Sequence, residues 1–282
     1  MGGMLRSAGR RRGRRQQRES PVSNRPSPPV DVESLRRRFL AREAVVAVIG
    51  LGYVGLPLIG AVASAGFAVV GFDIDAEKVA LLNAGRSYIR HIPDASIAAL
   101  VRERRFRALT DFAELAHVDA VLICVPTPLT RHREPDLSYI SGTTEAIAPH
   151  LRRGQLIVLE STTYPGTTRG VVLPILEGGG LKSGIDFFLG YSPEREDPGN
   201  TQFSATKIPK VVSGDGADAL ALVGALYGQF VAGVIAVSSP ETAEAVKLTE
   251  NIFRAVNIAL VNELKMVYDG MGIDVWEVIK AA

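Results

Sequence analysis

The chain has 282 residues, of which 46% are hydrophobic, so it can bury a sizeable core in one large domain or two smaller ones. Its single cysteine, Cys124, excludes an intrachain disulfide and favours a reducing compartment, so a cytoplasmic location is expected. No apolar run approaches the roughly 20 residues that span a bilayer. The four scattered histidines, without a CxxC or HxxxH pattern, indicate no metal site.

Charge is distributed unevenly along the chain. Residues 1–42 contain twelve arginines and three acidic residues, a formal charge of +9, so the remaining residues carry −7 within the total of +2. With four prolines and few apolar side chains, this arginine-rich tail is predicted to be disordered to about residue 33, because it cannot bury enough surface to offset its ordering entropy. Its end, "VESLRRRFLARE" at 32–43, could form a short helix leading into the body.

The arginine-rich tail allows more than one interpretation. It could bind nucleic acid or an anionic membrane, and its first eighteen residues lack acids, as in organelle transit peptides. No aromatic residues are interleaved to stack on bases, so a solvated extension is the preferred interpretation and nucleic acid is not an expected partner.

The first chemical motif follows the tail. Residues 45–49 are β-branched or small and predict a buried parallel strand. Gly50, Gly52 and Gly55 follow in G-x-G-x-x-G spacing, then apolar residues at helical period and a second strand ending at Asp73. Gly50 permits the tight turn, Gly52 lets the backbone approach a pyrophosphate, and Gly55 lets the helix pack on the strand.

Asp73 completes this pattern as a dinucleotide site. Its carboxylate can accept hydrogen bonds from both ribose hydroxyls and would repel a 2′-phosphate, so NAD is favoured over NADP. Lys78, five residues further on, could reach the cofactor, or could be an ordinary surface lysine. The alternative for the whole motif is a glycine-rich turn that binds no nucleotide.

Five further strands are predicted within the ranges 119–128, 155–168, 186–197, 210–214 and 233–239. In an open α/β sheet, ligands bind at the carboxyl ends of the strands. The polar residues expected at that edge are Thr127, Ser161, Thr162, Glu194 and Arg195.

A long helix is predicted after the sheet. Ser239 and Pro240 are typical of the N-cap and first helical residue, and the helix could run to Asp269 before the glycines at 270 and 272. Its length of roughly 45 Å suggests an element that links domains or forms a dimer. Lys247 and Asn251 share one face, which by spacing alone could simply be solvated.

Taken together, these segments resemble the UDP-glucose/GDP-mannose dehydrogenase family of nucleotide-sugar 6-dehydrogenases. The resemblance covers residues 45–282 and is carried by "GLGYVGLPL", "FDID", "CVPTPL", "ESTTYPGTT", "YSPEREDPGN" and "AEAVKLTENIFRAVNIALVNEL". "HIPDASI", "REPDLSYI" and "YSPEREDPG" look most like the branch that acts on UDP-N-acetylglucosamine.

The resemblance implies a fold and an activity. The fold is α/β, with a Rossmann-like doubly wound parallel sheet at 43–237 that binds NAD, and a central helical dimerisation domain that begins at 238–282. The activity is the twofold oxidation by NAD of a sugar C6 hydroxyl to the uronate, for surface polysaccharide synthesis. A homodimer through the long helix is the implied assembly.

The resemblance also implies site residues. Those matching the family's cofactor-binding positions are Gly50, Gly52, Tyr53, Val54, Gly55, Asp73, Lys78, Thr127 and Thr162. Those matching its catalytic positions are Thr162, Glu194, Lys247 and Asn251. Thr162 would help to orient a water and Glu194 would act as a base or orient water. Lys247 and Asn251 would stabilise charge developing on the substrate oxygen.

The family's second oxidation uses a cysteine in a G-G-x-C segment after the long helix. The sequence ends at "VIKAA", before the place where the resemblance puts that segment, so a C-terminally truncated and incomplete enzyme is expected. Cys124 matches a position inside a strand instead, and it is expected to pack rather than react.

Three alternatives stay open. The chain could be a non-catalytic NAD-binding or dimerising fragment. The sugar could be that of UDP-glucose or UDP-N-acetylmannosamine. A β-hydroxyacid or 6-phosphogluconate-type dehydrogenase could share the same Rossmann start, although "ESTTYPGTT" and "SPERE" disfavour it.

Overall fold

The computed structural model describes Gly2, residues 30–194 and residues 209–282. The strands in these ranges are β1 Val45–Ile49, β2 Ala68–Phe72, β3 Phe106–Leu109, β4 Ala120–Ile123, β5 Leu156–Leu159, β6 Phe188–Tyr191, β7 Lys210–Gly214 and β8 Val234–Ala236. The α-helices are α1 Val32–Ala41, α2 Gly55–Ser64, α3 Ala76–Asn83, α4 Asp94–Arg102, α5 Ser138–Ile147, α6 Leu173–Glu177, α7 Ala217–Tyr227, α8 Pro240–Gly270 and α9 Val275–Ala281.

The described strands form one sheet in the order β3-β2-β1-β4-β5-β6-β7-β8. All neighbours from β3 to β6 pair in parallel, which confirms the predicted Rossmann-like architecture. β7 departs from the expected parallel pattern, because it runs antiparallel to β6, and β8 then pairs in parallel with β7. β3, which the sequence did not reveal, is a short edge strand with the exposed Arg107 between two buried residues.

Both faces of the sheet are covered, because successive strand side chains point to opposite sides. In β1, Val46 and Val48 join one apolar cluster, which includes residues of α2 and α7. Ala47 and Ile49 join a second cluster with residues of α5 and α6. The two clusters therefore lie on opposite faces, and the carboxyl ends of the strands are left at the edge between them.

The first helix corrects the predicted extent of the tail. The short helix expected at the end of the tail is confirmed, because residues 32–41 form α1 with Asp31 as its N-cap. The assignment of all of residues 1–42 to a disordered tail is therefore wrong for this last part. Phe39 is fully buried in the core, and α1 packs against α7. Burial of the apolar side chains on one face stabilises this short helix, although its other positions are rich in arginine. The part of the tail at 3–29 lies outside the described residues.

A buried carboxylate joins α1 to the sheet. Asp119, which precedes β4, accepts hydrogen bonds from the Arg38 guanidinium at 2.5 and 2.8 Å and from the Val45 amide at 2.9 Å. Arg152 donates to the same carboxylate at 3.0 Å. A charge with this many donors can stay buried, so Asp119 fixes the edge of the sheet opposite the carboxyl ends.

The long helix begins as predicted and ends one residue later than predicted, at Gly270. The Ser239 hydroxyl accepts a hydrogen bond from the Thr242 amide at 3.2 Å, which caps the first turn. Only residues in its first two turns are buried. Among the described residues, no helix is long and apolar enough to cross a membrane.

Replacing Phe39 by alanine tests whether α1 belongs to the folded body. We expect the free energy of unfolding to fall by about 3–5 kcal/mol in urea titrations, because the fully buried ring would leave a cavity. Leu40→Ala on the same helix is the control, since Leu40 is 44% exposed and should change stability by only about 0.5 kcal/mol. Equal losses for the two variants would contradict the docking of α1.

A cleft at the carboxyl edge of the sheet

The turn between β1 and α2 is built around two glycines that no other residue could replace. Gly50 has a φ of +90°, and a Cβ at this position would lie 2.7 Å from the Cys124 carbonyl oxygen. A Cβ on Gly55 would lie 2.0 Å from the Gly50 carbonyl oxygen. Gly52 faces open space, so a ligand can approach its backbone. The N-terminus of α2 is thereby directed at this space.

Asp73 follows β2 directly beside the turn. One carboxylate oxygen accepts a hydrogen bond from the Leu51 amide at 3.0 Å, and the other accepts from the Asp75 amide at 3.0 Å. The Tyr88 hydroxyl donates to the Leu51 carbonyl and fastens the turn from the other side. Burial, followed by the charges of Asp73 and Asp75, raises the pKa of Tyr88, which therefore remains a donor at neutral pH. The carboxylate of Asp73 keeps further lone pairs for a ligand.

These residues line a cleft of about 550 Å³. The predicted cofactor residues in its lining are Gly50, Gly52, Tyr53, Val54, Asp73 and Lys78, whereas Gly55 is buried. The sequence missed other lining residues, including Phe112, Tyr139 and Thr143, because they belong to loops and helices distant in sequence. Ile74, next to Asp73, was also missed, because no chemistry marks an apolar residue as part of a site.

Two side chains shape the mouth of this cleft. The ring of Tyr53 is 67% exposed and stacks on His91, with ring centroids 5.9 Å apart. The Lys78 ammonium lies 3.6 Å from the Asp75 carboxylate and 5.8 Å from the centre of the Tyr88 ring. Lys78 is therefore held next to Asp75 but is only partly covered.

The loops after β4 and β5 are tied to each other. The Thr127 hydroxyl donates to the Thr162 carbonyl at 2.8 Å, and the Ser161 hydroxyl donates to the Val125 carbonyl at 2.7 Å. The cleft itself is lined by Val125 and the following proline, which directly precede Thr127. Both threonines thus lie at the predicted edge, beyond the part of the cleft formed by the glycine turn.

Glu194 belongs to a buried cluster of charges. The Lys210 ammonium lies 2.8 Å from its carboxylate and 2.7 Å from that of Glu160, and the Tyr227 hydroxyl donates to Glu160. Sequence reasoning missed Glu160 and Lys210. Glu160 stands inside a recognised motif, but its burial is not visible in the sequence. Lys210 begins a strand, and only the antiparallel direction of β7 brings it to the carboxyl edge. Arg195 lies outside the described residues.

The environment of this cluster shifts its ionisation. Burial lowers the pKa of Lys210, but attraction to Glu160 and Glu194 outweighs burial, and the pKa is raised. Burial raises the pKa of Glu160.

Cys124 lines the cleft and is 8% exposed, which confirms that it packs. Burial and then the charge of Glu160 raise the pKa of its thiol well above the ordinary value, so a reactive thiolate is disfavoured.

The first turns of α8 are anchored by a second buried carboxylate. Glu244, with no exposed surface, accepts hydrogen bonds from the amides of Gly166 at 2.6 Å and Thr168 at 2.8 Å, and from the Thr168 hydroxyl at 2.7 Å. These donors follow the loop that carries Thr162. Lys247 lies one turn further along α8, so the hydrogen bonds of Glu244 hold Lys247 near this loop.

Lys247 is 8% exposed, whereas Asn251, one turn beyond it, is half-buried. Burial lowers the pKa of the Lys247 ammonium, and the charges of Glu250 and Glu194 oppose this only in part. The predicted solvated alternative is therefore wrong for Lys247.

In residues 30–194 and 209–282, no three His, Cys, Asp or Glu side chains are grouped to hold a metal ion.

A parallel sheet whose strand order reverses between β1 and β4, with a glycine turn and an acid-terminated β2 at that point, defines a dinucleotide-binding domain. Residues 44–231 match the NAD binding domain of the UDP-glucose/GDP-mannose dehydrogenase family, and residues 241–282 match its central domain. The chain belongs to this family, and NAD is the cofactor that its glycine turn, Asp73 and open cleft fit.

Known relatives include a UDP-N-acetyl-D-glucosamine 6-dehydrogenase of Pseudomonas aeruginosa, 39% identical over 86% of this chain and 57% of its own length. An NDP-N-acetyl-D-galactosaminuronic acid dehydrogenase of Ralstonia nicotianae is also 39% identical, over 84% of this chain and 57% of its own. The solved UDP-D-ManNAc dehydrogenase of Pyrococcus horikoshii superposes with a TM-score of 0.79 at 36% identity, over 84% of this chain and 57% of its own. The chain thus spans about half the length of these relatives.

Replacing Gly55 by alanine tests the glycine turn. The new Cβ would push α2 away from the Gly50 carbonyl, so we expect NAD+ affinity in calorimetry to fall at least about tenfold. Gly60→Ala in the same helix is the matched control, because its Cβ meets nothing within 4 Å. It should keep NAD+ affinity and add about 0.5–1 kcal/mol of stability. Normal binding by the Gly55 variant would contradict the close approach.

Proposed function

We propose that this chain serves in a cytoplasmic, NAD-dependent nucleotide-sugar 6-dehydrogenase, which oxidises the C6 hydroxyl of UDP-N-acetylglucosamine, or of a related UDP-sugar, to the uronate for surface polysaccharide. The observation that carries the proposal is that one edge of the sheet holds two sets of residues. One set is the glycine turn with Asp73. The other is Thr162, Glu194 and Lys247, which come from separate loops and from α8.

The first set would hold the cofactor, which when bound supplies the hydride acceptor. The amides at the start of α2 would face the pyrophosphate, with Tyr53 and Val54 beside it. Asp73, oriented by two backbone amides, would accept hydrogen bonds from the adenosine ribose, next to Lys78. Thr127 would extend this wall toward the reaction centre.

The second set would act on the substrate. Lys247 is desolvated, so its ammonium would interact strongly with negative charge that develops on the C6 oxygen, and Asn251 would add a donor one turn away. Glu194 would take up a proton or orient a water, with Thr162 as a further water contact. A base must be ionised to accept a proton, and the adjacent Lys210 ammonium favours that form.

The choice of sugar is supported by motifs rather than by overall identity. Relatives named for N-acetylglucosamine and for N-acetylgalactosaminuronic acid are both 39% identical to this chain. The segments "HIPDASI" and "REPDLSYI" favour UDP-N-acetylglucosamine, with UDP-glucose and UDP-N-acetylmannosamine as the competing substrates.

Calorimetric titration with NAD+ and NADP+ tests the cofactor half of the proposal. We expect NAD+ to bind more tightly, because Asp73 would repel a 2′-phosphate. Asp73→Ala should weaken NAD+ binding roughly tenfold and narrow the difference between the two cofactors. Asp111→Ala is the control, since this acid also follows a strand but is not itself among the residues that line the cleft. Unchanged NAD+ affinity in the Asp73 variant would remove Asp73 from the site.

The same experiment, repeated with the chain saturated by NAD+, tests the substrate half. Binding of UDP-N-acetylglucosamine in preference to UDP-glucose and UDP-N-acetylmannosamine would support the proposed sugar. Preference for another UDP-sugar would change the proposed substrate but would still support a nucleotide-sugar 6-dehydrogenase. Binding of a small hydroxy acid without any UDP-sugar would overturn the proposal.

We further propose that α8 forms a homodimer. Beyond residue 250, the helix exposes large apolar side chains, among them Ile252, Phe253, Val256, Met266 and Val267, with exposed fractions from 54% to 71%. An apolar surface of this kind on a helix that leaves the body is typical of an interface. The family's central domain begins on this helix.

Sedimentation velocity tests the dimer. A chain of 30.2 kDa should sediment at about twice that mass, and Phe253→Ser should shift the mass toward the monomer, because it removes an exposed ring from the interface. Ile185→Ser is the control, since Ile185 is 62% exposed but lies on the loop before β6. A monomeric unaltered chain, or equal effects of both variants, would contradict an α8 interface.

A further inference from the structure

The Lys210 ammonium lies between two carboxylates at the carboxyl edge of the sheet. Its distances are 2.7 Å to Glu160 and 2.8 Å to Glu194, with 6%, 0% and 14% of the three side chains exposed. Such a group is almost removed from water, so each charge depends on the others. The Lys210 ammonium contacts both anions, and the Lys247 ammonium of α8 adds a further positive charge that acts on Glu194.

The strand pairing fixes this arrangement. The antiparallel register of β6 and β7 pairs Gly190 with Gly214 and Tyr191 with Ser213, and continued to the start of β7 it places Lys210 opposite Glu194. Side chains lock the pairing. The Ser213 hydroxyl donates to the Tyr191 carbonyl at 2.9 Å, and the Ser192 hydroxyl donates to the Val211 carbonyl at 2.8 Å. Lys210 can therefore not slip relative to Glu194.

The far side of the cluster is closed by α7. The Tyr227 hydroxyl donates to the Glu160 oxygen that does not contact Lys210, and the Tyr227 ring lies 5.7 Å from the ammonium. Glu160 has no exposed surface and is fixed by both partners. Its carboxylate contacts the ammonium and holds it in place, while Glu194 is the more exposed of the two carboxylates.

We propose that Lys210 is a positioning residue, which keeps the carboxylate of Glu194 ionised and fixed at the reaction edge, with Glu160 as its buried counter-anion. The proposal rests on the function proposed above, in which Glu194 accepts a proton or orients water. Without the ammonium, Glu194 would lose a direct ion pair and would face the charge of Glu160, so its affinity for a proton would rise. A smaller fraction of Glu194 would then be ionised to act as a base.

The test follows the titration of Glu194 itself. The chain is labelled with [5-¹³C]glutamate, the carboxyl carbon shifts are recorded by NMR against pH, and Glu194→Gln identifies the signal. In Lys210→Met, we expect the Glu194 midpoint to rise by more than one pH unit, about a tenfold change in proton affinity. Lys210→Arg should keep the Glu194 midpoint close to that of the unaltered chain, because arginine keeps the positive charge. An unmoved midpoint in Lys210→Met would overturn the proposal.

An exposed pair provides the control. Lys182 lies 3.0 Å from Glu177 on the surface, with 57% and 26% of the side chains exposed. Lys182→Met should leave the Glu194 signal unmoved, and it should move the Glu177 signal less than Lys210→Met moves that of Glu194, because water screens the surface pair. Equal shifts of the two signals would contradict a special role for the buried lysine.

A second variant covers the case in which Lys210→Met does not fold, as judged by circular dichroism. Glu160→Gln keeps the shape and removes one negative charge, so the Glu194 midpoint should fall; an unmoved midpoint would overturn the coupling. Calorimetry with NAD+ on the same samples separates the two proposals. Normal NAD+ binding with an unmoved Glu194 signal overturns only the role of Lys210, whereas failure of the unaltered chain to bind NAD+ overturns the proposed function.

Discussion

The close packing of α2 on β1 is the constraint on which the cleft depends. Gly55 lies so near the Gly50 carbonyl that no side chain fits between them, and Gly50 itself has a left-handed backbone against Cys124. This contact directs the N-terminus of α2 at the point where the strand order reverses. The same turn presents the Leu51 amide to Asp73, so the glycine spacing fixes both the N-terminus of α2 and the acid that is proposed to bind the ribose in a single local structure.

The second half of the site depends on interactions between elements far apart in sequence. Glu244 satisfies the amides that follow the β5 loop, and it thereby ties the first turns of α8 to the sheet. Beyond those turns the helix leaves the body, and its apolar side chains become exposed. Moving Glu244 would break several hydrogen bonds to a buried charge and would cost free energy. Lys247, one turn away, is therefore held in a defined position, although most of α8 does not pack against the sheet.

The sequence predicts what local patterns encode. β1, β2 and β4 to β8 follow from apolar runs bounded by glycine and proline. The start of α8 follows from Ser239 and Pro240, and its end lies within one residue of the predicted end. It fails where one residue acts through a distant partner. The sequence predicts a short helix at α1 but not its packing into the core, because arginines dominate its composition, whereas Phe39 and the Arg38–Asp119 pair depend on distant partners. No periodicity reveals the direction of β7, and so none reveals Lys210 at the site.

The charges at the reaction edge form an ordered series in which each sign is set by its neighbours. Glu160 is held by Tyr227 and Lys210, Lys210 holds Glu194, and Glu194 in turn acts on the ammonium of Lys247. Replacing such a buried set by apolar residues would often leave stability equal or higher, so stability alone does not account for it. In the proposed reaction, such a set would supply a carboxylate that accepts a proton and a desolvated ammonium near it, the two groups that proton removal from an alcohol requires.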